Sequence, residues 1–170
     1  MADFSRIGIL VVDDSRHMRE LYRAVLDAFG MPIKAEAEDG QSGIEAVKKY
    51  NPDLIITDMN MYPMDGVQFT RALRSRQDIK NRYVPILMIT GHNEVKYVQG
   101  AVDAGITEFL TKPFTPIALY QRIQHIIEHP RPFVRGEAFF GPDRRRSRQG
   151  GKNKGRRGTD SGAGGEEVFL

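Results

Sequence analysis

The 170-residue sequence has no cysteine. That excludes disulfides and thiolate chemistry and suits a reducing compartment. It has no long apolar run either. The longest, such as "IGILVV" and "VPILMI", fall far short of the roughly 20 residues that cross a bilayer. The N-terminus lacks the order of a secretory leader, because Asp3 precedes the first apolar run and no small-residue cleavage pattern follows. A cytoplasmic protein is the expectation. No separate DNA-binding output domain is expected. After His129 only 41 residues remain, nine of them glycine, whereas such a module needs about 50 or more with a patterned core.

Charge is present but unevenly spread. The net value of +3 hides ten Arg/Lys against five Asp/Glu from Pro130 onward, which leaves residues 1–129 mildly acidic. The chain therefore divides into a body, 1–129, and an arginine- and glycine-rich tail, 130–170. A tail of that composition buries too little apolar surface to offset its ordering entropy, so it is expected to be disordered unless ligand-bound.

Within the body, five short apolar runs read as strands: Ile7–Val12, Lys34–Ala37, Leu54–Thr57, Pro85–Thr90 and Glu108–Thr111. The first, third and fourth are nearly continuous β-branched and aliphatic stretches, the pattern of strands covered on both faces. Segments with helical spacing separate them. "SRHMRELYRAVLDAFG" places Met18, Leu21, Val25 and Phe29 on one stripe and closes on Gly30. "SGIEAVKKY", "GVQFTRALRS", "EVKYVQGAVDAG" and "PIALYQRIQHIIEH" supply four more. This alternation predicts an α/β fold, a doubly wound five-stranded parallel sheet with helices on both faces. In such sheets ligands collect at the carboxyl ends of the strands.

The residues at those ends are chemically unusual as a set. Asp13 and Asp14 follow the first strand, Asp58 the third, Thr90 ends the fourth and Lys112 follows the fifth. Three carboxylates at one rim repel one another unless a cation joins them. Oxygen ligands alone favour a hard cation, Mg²⁺, with Mn²⁺ as a substitute. His17 and His92 fall near the same rim, but no cluster of ligating side chains surrounds either, so both read as surface or packing residues.

The stretches "VVDDS" (Val11–Ser15), "IITDMNMYPMDG" (Ile55–Gly66), "MITG" (Met88–Gly91) and "FLTKPF" (Phe109–Phe114) together resemble the receiver domain of two-component response regulators, in particular the stand-alone CheY-like kind. The resemblance covers about residues 5–129. It implies that Asp58 accepts a phosphoryl group from a sensor histidine kinase or phosphotransfer protein. It implies further that Asp14, Asp58 and the backbone carbonyl of Asn60 hold Mg²⁺, with Asp13 binding directly or through water. Thr90 would be the switch hydroxyl, Phe109 the aromatic that moves inward with it, and Lys112 the partner of the phosphoryl oxygens. The Lys112–Pro113 bond is expected to be cis. Transfer to a carboxylate needs an in-line anionic nucleophile and charges that neutralise the equatorial oxygens. This set provides both, without a strong general base. The expectation is a switch rather than an enzyme, with at most weak self-phosphorylation and self-dephosphorylation. One departure is that Tyr62 stands where the family usually has proline, with Pro63 next, which turns attention to an outward Tyr62.

The tail, "RPFVRGEAFFGPDRRRSRQGGKNKGRRG", sets clustered arginines beside Phe139, Phe140 and Asp143. Arginine grips phosphates bidentately and stacks on flat rings, and an aspartate can accept from the N–H edge of guanine. Nucleic acid, an anionic membrane surface and a guanine-containing dinucleotide all remain open on composition. The "GPDRRR" stretch, Gly141–Arg146, resembles a CheY-like subfamily whose arginine-rich extension binds cyclic di-GMP and which acts at the flagellar motor. Carried over by position, the ligand contacts would be Arg135, Asp143, Arg144, Arg145, Arg146 and Arg148, with Arg131, Arg156 and Arg157 secondary. The resemblance implies a flagellar motor switch protein as partner and control of chemotaxis, motility or surface attachment. The alternatives are a phosphorelay regulator whose tail binds nucleic acid or a protein, and a docking module that needs no phosphorylation.

Overall fold

A computed structural model describes residues 3–91, 97–135, 140–144 and 167–169. Strands β1 (Ile9–Val12), β2 (Ile33–Ala37), β3 (Leu54–Asp58), β4 (Ile86–Gly91) and β5 (Glu108–Lys112) alternate with helices α1 (Arg16–Ala28), α2 (Gly40–Tyr50), α3 (Gly66–Ser75), α4 (Val98–Ala104) and α5 (Pro116–Glu128). The five strands pair in parallel in the order β2-β1-β3-β4-β5. Strand order reverses between β1 and β3, which opens a crevice at their carboxyl ends.

Successive strand residues face opposite ways, and both faces are covered. Leu10, Val12, Ile55, Ile86 and Met88 pack with Ile44, Phe69 and Ala101 from α2, α3 and α4. Ile9, Val11, Ile56, Leu87 and Ile89 pack with Tyr22, Leu26, Leu119 and Ile123 from α1 and α5. Helix starts are set locally. The Ser15 side chain accepts from Met18 N, Asp39 and Ser42 form one capping box, Asp65 and Gln68 another, and Thr115 caps a helix with proline in its first turn. Gly66 is demanded by contact, because a Cβ there would collide with the carbonyl oxygen of Asp58. Its absence lets α3 begin directly beneath the end of β3.

The apolar stripe of α1 differs from the one read in the sequence. Leu21 is 40% exposed, whereas Tyr22 and Leu26 are fully buried. Buried Tyr22, Val25 and Leu26 and the partly buried Met18 and Phe29 follow the i, i+4, i+7, i+8 pattern, and position 21 falls one step outside it. Strand β1 begins at Ile9 rather than Ile7, and α2 begins at Gly40, two residues before the stretch read as helical, with Asp39 as its N-cap. Residues 94–96 of the stretch assigned to the fourth helix lie outside the described residues.

Packing also continues past His129, where the sequence reading ended the body. Strands β6 (Phe133–Arg135), β7 (Phe140–Pro142) and β8 (Glu167–Phe169) form a small antiparallel sheet in the order β7-β6-β8. Phe133 is 6% exposed. Its ring lies 4.7 Å from the guanidinium carbon of Arg74 and 5.2 Å from the ring centre of Tyr83. Arg74 is itself buried. It donates to the carbonyls of Arg82 (2.6 Å), Val84 (2.7 Å) and Gly105 (3.0 Å), so its donors are satisfied by backbone and its charge is covered by the Phe133 ring. One arginine thereby ties α3, the loop before β4, the turn before β5 and the C-terminal extension. Phe133→Ala should lower unfolding free energy by about 3 kcal/mol, measured by urea denaturation of the full chain. An unchanged midpoint and slope would show that the extension does not pack here in solution.

Candidate functional site

The crevice holds the carboxylates named from the sequence. Asp13 follows β1 with 1% of its surface exposed, and Asp58, the last residue of β3, has 7%. Asp14 and Asn60 are exposed at the rim. One carboxylate oxygen from each of Asp13, Asp14 and Asp58 lies within 4.8 Å of the others. Lys112, the last residue of β5, donates from Nζ to Asp58 Oδ1 at 2.8 Å. Parallel register sets this meeting, since Asp58 pairs with Ile89 and Gly91 pairs with Lys112 across β4. The Lys112–Pro113 peptide is cis, as the resemblance implied, and so is Tyr62–Pro63. Tyr62 is 84% exposed, so it does present outward.

The polar atoms are only partly satisfied. Asp13 Oδ1 accepts from the backbone N–H of Ser15 at 2.8 Å, and the Asp13 carbonyl accepts from Arg19 Nη1 at 2.7 Å. Asp13 Oδ2, Tyr22 OH and Thr90 Oγ1 are buried, and among the described residues they have no hydrogen-bond partner. Buried oxygens without partners are uncommon and invite a ligand. An all-oxygen donor set with an orphaned carboxylate oxygen fits a hard divalent cation. Asp13, Asp14 and Asp58 are the groups that would hold it. The orphaned Thr90 hydroxyl lies on β4, between the strands that end in Asp58 and Lys112. Phe109 is half-buried against the core beside it, paired with Met88.

Two residues at the pocket were not singled out from the sequence. Arg19 donates to the Asp13 carbonyl, and Tyr22, buried on α1 and stacked on Phe114, carries a hydroxyl with no partner among the described residues. The available signal for Tyr22 was its i+4 spacing from Met18, which the misplaced stripe obscured.

The tail residues lie at the other end of β5. Arg131 donates to Glu108 Oε1 at 2.7 Å, and Arg144 donates to the carbonyls of Ile106 and Thr107. Asp143 is held through its backbone N–H, which donates to Pro132 O at 2.8 Å, and Arg135 is exposed on β6. Burial, and then the like charge of Arg131, lowers the Arg144 guanidinium below its usual range. A cavity of about 490 Å³ opens nearby, lined by Tyr83, Thr107, Ile126, Arg131, Phe133 and Pro142 among others; it contains none of the rim carboxylates. Arg145, Arg146, Arg148, Arg156, Arg157, Phe139 and His92 lie outside the described residues.

Residues 9–124 match the family model of the response regulator receiver domain. The chain is 34% identical over 120 residues to the chemotaxis protein CheY of Pseudomonas aeruginosa, which spans 71% of this chain and 95% of that protein. It is 32% identical over 120 residues to the chemotaxis protein CheY-3 of Vibrio cholerae, across 71% of this chain and 91% of that one. A solved structure of Vibrio cholerae CheY4 superposes with a TM-score of 0.64 at 32% identity, covering 71% of this chain and 98% of the other. The chain belongs to the response regulator receiver family. It is a two-component response regulator with a CheY-like receiver domain, a class of phosphoacceptor regulators rather than enzymes in the usual sense. Receiver domains hold Mg²⁺ at such an acidic pocket and take their phosphoryl group from a histidine kinase or phosphotransfer protein. Among the described residues no helix is long and apolar enough to cross a membrane.

Burial pushes the Asp13 carboxyl up to about 6; the Ser15 N–H and Lys112 oppose the rise, while Asp58 and Asp14 add to it. The folded value lies above the roughly 3.9 of an unfolded aspartate. Asp13 therefore contributes stability that is fully present below the unfolded value and is lost as pH rises through about 6. In EDTA, Asp13→Asn should melt increasingly above the parent protein as pH is raised from roughly 4 to 7. Thermal melts across that window check it, and a difference independent of pH contradicts it.

Proposed function

We propose that Asp58 is the phosphoacceptor of a two-component relay and that the arginine-rich tail binds cyclic di-GMP, so that the protein adjusts flagellar motor behaviour, motility or surface attachment. The observation that carries the first half is the Lys112 ammonium, 2.8 Å from the Asp58 carboxylate inside a cluster of three acids. An ammonium and a cation on either side of one buried carboxylate provide the charges that phosphoryl transfer needs. In this reading a phosphohistidine on the kinase or phosphotransfer partner is the donor. Asp14, Asp58 and the Asn60 carbonyl hold Mg²⁺, and Asp13 completes the site. Thr90 and Phe109 move together once Asp58 is phosphorylated.

The tail supports the second half by its chemistry. Arg135, Arg144, Arg145, Arg146 and Arg148 supply phosphate grips and stacking planes, Asp143 supplies an acceptor for guanine, and Arg131 adds positive charge. Arg131 and Arg144 contact the body at Glu108, Ile106 and Thr107. Ligand capture by these two therefore exchanges existing contacts for new ones, while Arg135 starts exposed. Two relatives named as chemotaxis proteins favour a role in motility and recruitment to the motor switch.

Acetyl phosphate with Mg²⁺ should add one phosphoryl group to the intact mass, and Asp58→Asn should abolish that gain. Equal labelling of the variant removes Asp58 from the role. For the tail, calorimetric titration should give tight cyclic di-GMP binding that Asp143→Ala weakens about tenfold or more, the loss of one well-placed charge-assisted contact. Affinity for short DNA should be unaffected or raised by the same change. DNA affinity that exceeds dinucleotide affinity and falls steeply with salt would instead assign the tail to nucleic acid.

A further inference from the structure

Tyr22 is the buried polar group that the phosphoacceptor chemistry does not use. Its side chain is fully buried and its hydroxyl has no hydrogen-bond partner among the described residues. A buried tyrosine hydroxyl ordinarily finds one. The phenol sits on α1, whose N-terminus lies at the carboxyl end of β1, just after Asp13 and Asp14. Helical side chains lean toward the N-terminus of their helix, over the preceding turn. Tyr22, about 9 Å along the axis from the first turn, therefore reaches back toward the acidic rim. The ring is fixed in that direction by Phe114, stacked at 6.0 Å with an interplanar angle of 8°, and Phe114 follows the Lys112–Pro113 segment that delivers the ammonium to Asp58.

Two further facts concern the hydroxyl and the carboxylate at the head of its helix. A tyrosine hydroxyl is protonated near neutral pH and is therefore a donor. Asp13 Oδ2, three residues before α1 begins, is a buried acceptor that also lacks a partner. A donor and an acceptor, each buried and each orphaned, flank the start of α1, and the acceptor belongs to the three-carboxylate cluster.

We infer that Tyr22 is a positioning residue of the cation site, whose hydroxyl supplies the hydrogen bond that Asp13 Oδ2 lacks when a divalent cation is held by the acidic cluster. Before loading, the two oxygens remain unpaired. With the cation in place Asp13 is drawn into one orientation, and the phenol holds it there. The phenol touches neither the phosphoryl group nor the nucleophile; it acts through Asp13. This inference rests on reading the acidic cluster as a cation site.

The test is calorimetric titration of the full chain with magnesium chloride, comparing the parent protein, Tyr22→Phe, Asp13→Asn and the double variant. Tyr22→Phe keeps the ring and its stack on Phe114. It should raise the Mg²⁺ dissociation constant threefold to tenfold, while its melting temperature in EDTA equals or exceeds that of the parent, since an orphaned hydroxyl has gone. In the Asp13→Asn background the same change should have no further effect. Parent-like affinity in Tyr22→Phe, or an equal loss with and without Asp13, overturns the inference. A parent protein that binds no Mg²⁺ overturns the cation site along with it. A measurement without substitution stands beside these: in protein labelled with ¹³C at tyrosine Cζ, one solvent-shielded phenol resonance should shift on Mg²⁺ saturation, and no such shift contradicts the assignment.

Discussion

Mutual repulsion among Asp13, Asp14 and Asp58 is the constraint around which the molecule is arranged. Like charges this close cannot all ionise without compensation, and their oxygens converge within 4.8 Å. The sheet forces the meeting, because the reversal of strand order after β1 brings the ends of β1 and β3 side by side. The compensation comes from the same architecture. The next strands, β4 and β5, carry Thr90 and Lys112 to the same rim in register, and Lys112 meets Asp58 directly. The remaining negative charge suits the pocket to a divalent cation. The Asp58 carboxylate is held in place by the Lys112 ammonium.

Strand β5 links this pocket to a second charged cluster. Its last residue is Lys112 and its first is Glu108, which receives both Arg122 and Arg131. Five residues of strand span about 16 Å, so the acidic rim and the docked arginines sit at opposite ends of one rigid element. Arg144 grips carbonyls just before that strand, and Phe133 closes over Arg74. The extension is therefore seated on groups that belong to the β4 and β5 ends of the sheet. The basic segment contacts the body here through the guanidinium forks of Arg131 and Arg144.

Much of this was legible in the sequence, for definite reasons. Strands buried on both faces leave continuous aliphatic runs, which is why β1, β3 and β4 stood out, whereas β2 is half-exposed and carries no such run. Asp13, Asp14, Asp58, Thr90 and Lys112 could be named because a parallel sheet places every strand's carboxyl end at one edge. What escaped depends on long-range contact. Leu21 and Tyr22 differ by one position on a helix, and only the packing of α1 on α5 and Phe114 decides which is inside. Arg74 reads as a solvent-facing charge, yet its acceptors are backbone carbonyls 8 to 31 residues away. No local pattern announces that. Phe133 belongs to a stretch rich in arginine and glycine, and it docks because Arg74 and Tyr83 present a surface no composition argument contains.

The central claim is that the acidic rim is strained when empty and relieved by a divalent cation. Its most direct test is the melting temperature of the full chain in EDTA and in saturating magnesium chloride, set beside Asp14→Asn. A ligand that binds only the folded state raises stability by mass action. The parent protein should therefore melt substantially higher with magnesium, and Asp14→Asn should gain far less from it while matching or exceeding the parent in EDTA. A parent protein indifferent to magnesium, or an Asp14→Asn variant that gains as much, would contradict the account.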